Sequence, residues 1–406
     1  MTRSAEVDVL GVWLGQRRVG TLVRLPDDRI TFAFDPSYAE DTQRPVLSLG
    51  FKGEQGGLVT PPTAKTKLPP FFANLLPEGR LRTYLAARAG TKKVRDFPLI
   101  AVLGEDLPGN VIVKPEGVGE APRQVKMDAD STRPPLKFSL AGVQLKFSAV
   151  EAATGGLTIP VSGVGGDWIV KLPSPVYAGV PAHEYQMLEL ARAIGIAVPQ
   201  TRLIDAESIA GLPADAPLPE RQVLAIRRFD RAEGQRIHME DFAQVFGVYP
   251  DDKYKRASTE SIAKVLYAES GLEAVLEVVR RMVFTILIGN ADMHLKNWSL
   301  IYRDGRSAEL SPGYDFVGTV AYLPGDRNLA LSLGGTKVMA RIDLDRFARF
   351  ANKVGAPALP ISTVVDETVR AFKLAWRNLE MPAKLPAAHR EILEEHQKSL
   401  ALWRLV

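Results

Sequence analysis

The chain has 406 residues, a formal net charge of +4 and no cysteine. Lack of cysteine excludes disulfides, thiolate catalysis and cysteine-ligated zinc; the mild positive charge permits contact with anions such as ATP or DNA without implying a dedicated nucleic-acid binder. Hydrophobic residues at 46% and charged ones at 24% are ordinary for a globular protein of two or three domains, no apolar run approaches membrane-spanning length, and the first residues lack a signal-peptide pattern, so a cytoplasmic protein without a membrane partner is expected.

Residues 6–35 alternate apolar and polar side chains between turn residues, which predicts an antiparallel meander. Residues 52–70, rich in Gly, Pro and Lys, read as a long loop. Helices are expected near Phe71–Ala89 and Val94–Leu103, and Val111-Ile-Val as a returning strand. A Pro/Gly/charged stretch without apolar periodicity then predicts a linker. The expected division is a β-rich first unit over 1–115, a linker over 116–135, a small lobe over 136–230 and a mainly helical lobe over 231–406.

The small lobe opens with Leu136-Lys-Phe-Ser-Leu-Ala-Gly-Val-Gln-Leu-Lys146, read as strand, tight turn at Ala141-Gly142, strand. A glycine there lets backbone N–H groups approach phosphate oxygens, and Ser139, Gln144 and Lys146 offer side-chain donors; an ordinary hairpin with polar residues outside is the alternative. Gly163-Val-Gly-Gly166 reads as a turn. In the β-rich run Asp167–Pro173, Lys171 either neutralises nucleotide phosphates or faces solvent on an edge. Glu184 falls in the first turn of a helix over Ala182–Ile194, where a Lys–Glu partner would sit. Val223–Asp230 is a strand leaving this lobe.

In the third unit, His238–Gly247 reads as a short helix. From Leu272 apolar residues fall at helical spacing and become apolar all round near Met282–Ile288, so that end is buried. It delivers a polar loop containing Asn290, Asp292, His294, Lys296 and Asn297. An acid followed five positions later by an amide is the catalytic-loop arrangement of phosphoryl transfer: the acid accepts a hydroxyl proton and the amide holds a metal ion on the phosphates. A polar turn between helix and hairpin is the alternative for the loop alone. Trp298–Tyr302 and Glu309–Ser311 flank an Asp-Gly turn, and the returning chain brings Asp315 beside Asn297, a pair of oxygen ligands that suits Mg²⁺. Amphipathic stretches at Leu344–Val354, Ser362–Leu379 and His389–Leu402 look structural, with His389 and His396 expected on the surface. The histidines form no zinc signature, and no Gly-x-Ser-x-Gly elbow is present.

Phosphate turn, strand lysine, helix glutamate, hinge strand, Asp-x₄-Asn loop and post-hairpin aspartate occur in protein-kinase order. With Leu75-Leu-Pro-Glu-Gly-Arg80, Ser139–Lys146, Ile169–Pro173, Glu184-Tyr185, Arg228-Phe-Asp-Arg231, Glu240-Asp-Phe242, Gly289–Asn297 and Tyr314-Asp315, the chain resembles, over nearly its full length, the HipA family of serine/threonine-kinase toxins. The resemblance implies an α+β, bilobal, protein-kinase-like (HipA-like) fold with an N-terminal β-rich subdomain and a mainly helical C-terminal lobe. It implies ATP and Mg²⁺ as cofactors, Asp292 as catalytic base, Asn297 and Asp315 as Mg²⁺ ligands, and Ala141, Gly142, Val143, Gln144 and Lys146 as the ATP phosphate loop. Lys171 would pair with phosphate, Arg227, Arg228 and Phe229 would receive adenine, His294 and Tyr314 would line the site, and Ser139 would be autophosphorylated. It also implies an aminoacyl-tRNA synthetase as protein substrate, often the glutamyl enzyme, and a HipB-type helix-turn-helix antitoxin that binds operator DNA. Met293, Leu145 and Arg227 depart from the family pattern, where Gly, an acid and Glu are common. A small-molecule phosphotransferase of similar shape and a catalytically silent module that binds antitoxin and DNA are the competing expectations.

Overall fold

The computed structural model describes residues 8–53, 56–79, 81–82, 95–116, 145–152, 155–160, 165–213, 216, 218–378 and 384–405. The expected turn at Ala141-Gly142, together with Ser139, Val143 and Gln144, lies outside the described residues, as does almost all of the 116–135 linker.

The predicted meander forms. Strands β1 (Asp8–Leu14), β2 (Arg17–Arg24) and β3 (Arg29–Phe34) pair in sequence, and β4 (Ala64–Lys65) and β5 (Val111–Pro115) complete an antiparallel sheet of order β4-β3-β2-β1-β5. Leu10, Val12 and Leu14 alternate toward the core, as the two-residue period of a half-buried strand requires. Helices α1 (Pro36–Glu40), α2 (Pro70–Ala73) and α3 (Asp96–Leu103) cover this unit. The helical stretch expected near Phe71–Ala89 is interrupted: α2 stops at Ala73, because Pro77 has no N–H to donate and disfavours helix in the residue before it, helix is again present at Gly79, Leu81 and Arg82, and residues 83–89 lie outside the described ones. Asn74 instead donates its side-chain amide to the carbonyls of Pro70 and Val248. That break aims Glu78 out of the unit.

The second sheet has the order β7-β6-β8-β10-β9, from β6 (Lys146–Glu151), β7 (Leu157–Thr158), β8 (Trp168–Lys171), β9 (Thr201–Asp205) and β10 (Gln222–Arg227). Helix α4 (Val180–Ala193) packs against β10 and β9. A two-residue ribbon, β11 (Arg231–Ala232) with β12 (Gln235–Arg236), leads out.

The expected helix over His238–Gly247 is also corrected. His238–Asp241 is strand β13, and only Phe242–Val245 is helical, as α5. The strand pairs with β14 (Ser299–Tyr302), which pairs with β15 (Glu309–Leu310) in the predicted hairpin; pairing with a distant strand overrides local propensity. Helices α6 (Thr259–Ser270), α7 (Leu272–Leu287), α8 (Leu344–Val354), α9 (Ala358–Asn378) and α10 (Ala387–Ser399) build the helical lobe around α7, and a ribbon of β16 (Asn328–Leu333) and β17 (Thr336–Val338) lies beside it.

Among the described residues, buried apolar side chains gather in two clusters. One joins the first unit to the second sheet, from Leu10 and Phe72 to Phe147, Val170 and Ala225. The other fills the helical lobe and takes in Met187, Leu188 and Leu190 of α4. His396, expected on the surface, is fully buried and donates its Nε2 hydrogen to the carbonyl of Ile286 at 2.8 Å, because α10 folds back over the end of α7. No helix among the described residues is long and apolar enough to cross a membrane.

Candidate active site

Between the second sheet and the helical lobe lies a cavity of about 740 Å³. Lys146, Lys171, Glu184, Arg227, Arg228, Phe229, Asp292, His294, Asn297, Tyr314 and Asp315 all line it.

One wall is built on strands. Lys171 on β8 stands directly opposite Lys146 on β6, so both side chains project from the same face. Lys171 is buried, and its Nζ donates to Glu184 Oε1 at 2.6 Å and to the carboxylate of Asp315. Burial opposes the charge on Lys171, but the Asp315 and Glu184 carboxylates outweigh it and raise the pKa. Among the described residues Lys146 has no such close partner: burial, against the pull of Asp315, lowers its ammonium to about 8. Asp315 is held at about 2, its own burial being overcome by Lys171 and Lys146.

The facing wall is the loop fed by α7. Gly289 follows the helix with φ of +64°, and a Cβ there would lie 2.3 Å from Val320, so only glycine makes this turn. Asn290 Oδ1 accepts from the Asp292 amide at 2.9 Å, and Asn297 Nδ2 donates to the Asp292 carbonyl at 3.0 Å. Burial raises the Asp292 carboxyl pKa, with Tyr254 and Lys253 acting in the opposite sense. The His294 ring is buried, which lowers its pKa to about 3. Tyr314 donates to the Lys296 carbonyl at 2.9 Å, and its ring lies 5.7 Å from that of Phe229.

Asp315 joins the two walls. It is a non-glycine residue at φ of +57°, a sparsely populated conformation that surrounding contacts must hold. Those contacts are visible. Asn290 Nδ2 donates to the Asp315 carbonyl at 3.3 Å, Thr319 Oγ1 donates to the Gly289 carbonyl and accepts from the Ala291 amide, and the Gly318 amide donates to His183 Nε2 at 3.0 Å. His183 precedes Glu184, so the helix that grips Lys171 also grips the segment carrying Asp315.

The HipA N-terminal domain family matches residues 10–114, and the HipA-like C-terminal domain family matches residues 138–376. The chain belongs to the HipA family. It is 46% identical over 98% of its length to a Sinorhizobium fredii protein named "Putative kinase Y4dM", and covers 98% of that protein. It is 23% identical to the serine/threonine-protein kinase toxin HipA of Shewanella oneidensis, with 87% of this chain and 85% of that one aligned. A solved structure of HipA, HipB and operator DNA from Shewanella oneidensis contains a chain that superposes with a TM-score of 0.72 at 22% identity, covering 97% of this chain and 96% of that one. The fold is therefore the bilobal, kinase-like HipA fold.

Two features of this HipA-family site were not read from the sequence. The first is the contribution of the N-terminal unit. Glu78 forms ion pairs with Lys296 at 2.7 Å and with Lys253 at 3.0 Å, and Lys296 also donates to Asn74. The Leu75–Arg80 segment carried the family resemblance, and an acid just past a proline break was the available signal. The second is Tyr254, whose hydroxyl donates to Asp292 Oδ1 at 2.5 Å; no motif spacing announced it. The Arg228 side chain is buried in a bidentate pair with Asp230, at 2.9 and 2.8 Å, and so braces the strand end at the cavity wall.

Proposed function

We propose that the chain is an ATP-dependent serine/threonine protein kinase that acts as the toxin of a toxin–antitoxin module. The observation that carries this reading is the position of Lys171: it is clasped by Glu184 and Asp315 across the cavity from the Asp292–Asn297 loop. Lys171, with Lys146, neutralises nucleotide phosphates. Asp292 accepts the proton of the acceptor hydroxyl. Asp315, ionised at neutral pH, and Asn297, whose Nδ2 is already spent on a carbonyl, present hard oxygen donors. Two such protein ligands suit Mg²⁺, which keeps waters and substrate phosphates in its shell; bound there, it offsets charge on the transferring phosphoryl group. The amides of Arg227 and Arg228 already donate to the carbonyls of Gln200 and Asp167, so adenine at this strand end uses the next amide, that of Phe229.

The toxin assignment rests on kinship with the Shewanella protein, whose solved complex holds HipB and operator DNA. By that kinship the partner is a HipB-type antitoxin; the family resemblance read from the sequence adds, within the same proposal, a helix-turn-helix form for that antitoxin, a glutamyl-type aminoacyl-tRNA synthetase as acceptor and Ser139 as the autophosphorylated residue. The test is transfer from labelled Mg-ATP onto a panel of purified aminoacyl-tRNA synthetases, with and without their tRNAs, using Asp292→Asn as control. Label on a serine or threonine of one synthetase, lost in the variant, is expected. Label appearing only on small molecules would move the chain to the small-molecule phosphotransferases, and no transfer to any acceptor would leave it a binding module.

A further inference from the structure

Asp292 is placed to take a proton from a hydroxyl, and it already accepts one hydrogen bond from a hydroxyl in its own chain. The Tyr254 hydroxyl donates to Asp292 Oδ1 at 2.5 Å. The residue is held from several sides. Its ring edge packs against His294 at 5.1 Å and 80°. Its carbonyl accepts from Lys337 Nζ at 3.4 Å. The preceding Lys253 is buried and pinned to Glu78, and the Lys253 carbonyl accepts from the Leu295 amide within the catalytic loop. Yet Tyr254 itself remains 40% exposed, so an incoming acceptor can reach and displace the ring without opening the core. A tyrosine set this firmly, yet exposed beside a cavity-lining carboxylate, is more than packing: its packing partners would be served equally by phenylalanine, and only the hydroxyl meets the base.

We infer that the Tyr254 hydroxyl occupies the place of the acceptor hydroxyl on Asp292 and so selects a polypeptide acceptor over water. This rests on the reading of Asp292 as the base. In the transfer step the acceptor oxygen forms a bond to the γ-phosphorus, the bond from that phosphorus to the β–γ bridging oxygen breaks with its electron pair leaving on ADP, and the acceptor proton passes to Asp292. Water satisfies the same balance, and a base left open to solvent would hydrolyse ATP. A phenol held on the base blocks that route. A docked polypeptide has enough contact surface to displace it; a water molecule has not.

The experiment measures Mg-ATP hydrolysis by the purified full-length chain without added acceptor, beside phosphate incorporation into the chain itself, for wild type, Tyr254→Phe, Tyr254→Leu and Asp292→Asn. A hydrogen bond to a charged group is worth about tenfold or more. Both Tyr254 variants should therefore hydrolyse ATP about tenfold faster, with the KM for ATP unchanged and the ratio of hydrolysis to self-incorporation raised. Tyr254→Phe keeps the ring contact with His294, so a purely structural role would leave it like the wild type. Equal rates in wild type and Tyr254→Phe, including no turnover in either, overturn the inference. If Asp292→Asn abolishes turnover while Tyr254→Phe changes nothing, the gate is wrong and the base stands. If Asp292→Asn turns over like the wild type, the base itself is wrong and the gate falls with it.

Discussion

Glu78 of the first unit forms an ion pair with Lys296, the residue before Asn297, at 2.7 Å. Its other oxygen reaches Lys253 at 3.0 Å, so a single carboxylate ties the Asp292–Asn297 loop to the segment that carries Tyr254. Burial pushes the Glu78 carboxyl up, but Lys296 and Lys253 prevail and hold it at about 2. Glu78→Ala leaves two buried ammonium groups without their partner, which costs on the order of 3 kcal/mol. It should also lower kcat by on the order of tenfold to a hundredfold while the KM for ATP changes little, because the loop is misplaced and the nucleotide wall is not. Urea denaturation and steady-state kinetics measure the two effects. The folded pKa lies below the ordinary value of 4.5, so this stability is present above that pH and is lost as pH falls toward 2.

Lys171→Met removes the cation that two carboxylates share. Glu184 is then a buried acid that has lost its hydrogen-bonded counter-ion, and a loss of about 3–5 kcal/mol is expected. Wild-type protein should melt at higher temperature as Mg-ATP is added, through ligand linkage. The Lys171→Met protein should melt lower and gain nothing from Mg-ATP. A full nucleotide-dependent shift in that variant would place the phosphates elsewhere.

Asp292→Asn keeps the shape of the loop, since the Asp292 amide and carbonyl, rather than the carboxylate, make the contacts with Asn290 and Asn297. Phosphoryl transfer should fall by on the order of 10²–10⁴, with stability changed by less than about 1 kcal/mol. Parallel transfer and melting measurements separate loss of chemistry from loss of fold.

Glu240 on β13 is fully buried. It accepts hydrogen bonds from Ser48 at 2.5 Å, the Leu49 amide at 2.9 Å and Tyr302 at 2.5 Å. Burial outweighs these donors and lifts its carboxyl to about 7. A folded-state pKa above the unfolded one means that the group contributes stability below pH 4.5 and that this contribution is lost as pH rises through 7. Glu240→Gln keeps acceptors for Leu49 and Tyr302 without the charge. It should match the wild type near pH 5 and be more stable by about 2–3 kcal/mol at pH 8. Chemical denaturation at the two pH values reads the difference, and a parallel pH dependence in both proteins would contradict it.

The sequence by itself determined the elements whose causes are local. Alternation wrote β1 to β3, helical spacing from Leu272 wrote α7, and the Asp-Gly turn wrote the β14–β15 hairpin. The acid-to-amide spacing marked Asp292 and Asn297, because both lie on one loop delivered by one helix. What depends on partners far along the chain was decided only by the tertiary structure. His238–Asp241 is extended because β14 offers it a ladder. His396 is buried because α10 returns over α7. The motif order foreshadowed Lys171 with Glu184, but Asp315 reaches Lys171, and Glu78 meets Lys296 and Lys253, because packing two lobes and a third unit around one cavity brings charges together that no spacing rule connects. Propensity acts over a few residues, whereas a buried ion pair or a strand pairing is stable only once its partner has arrived.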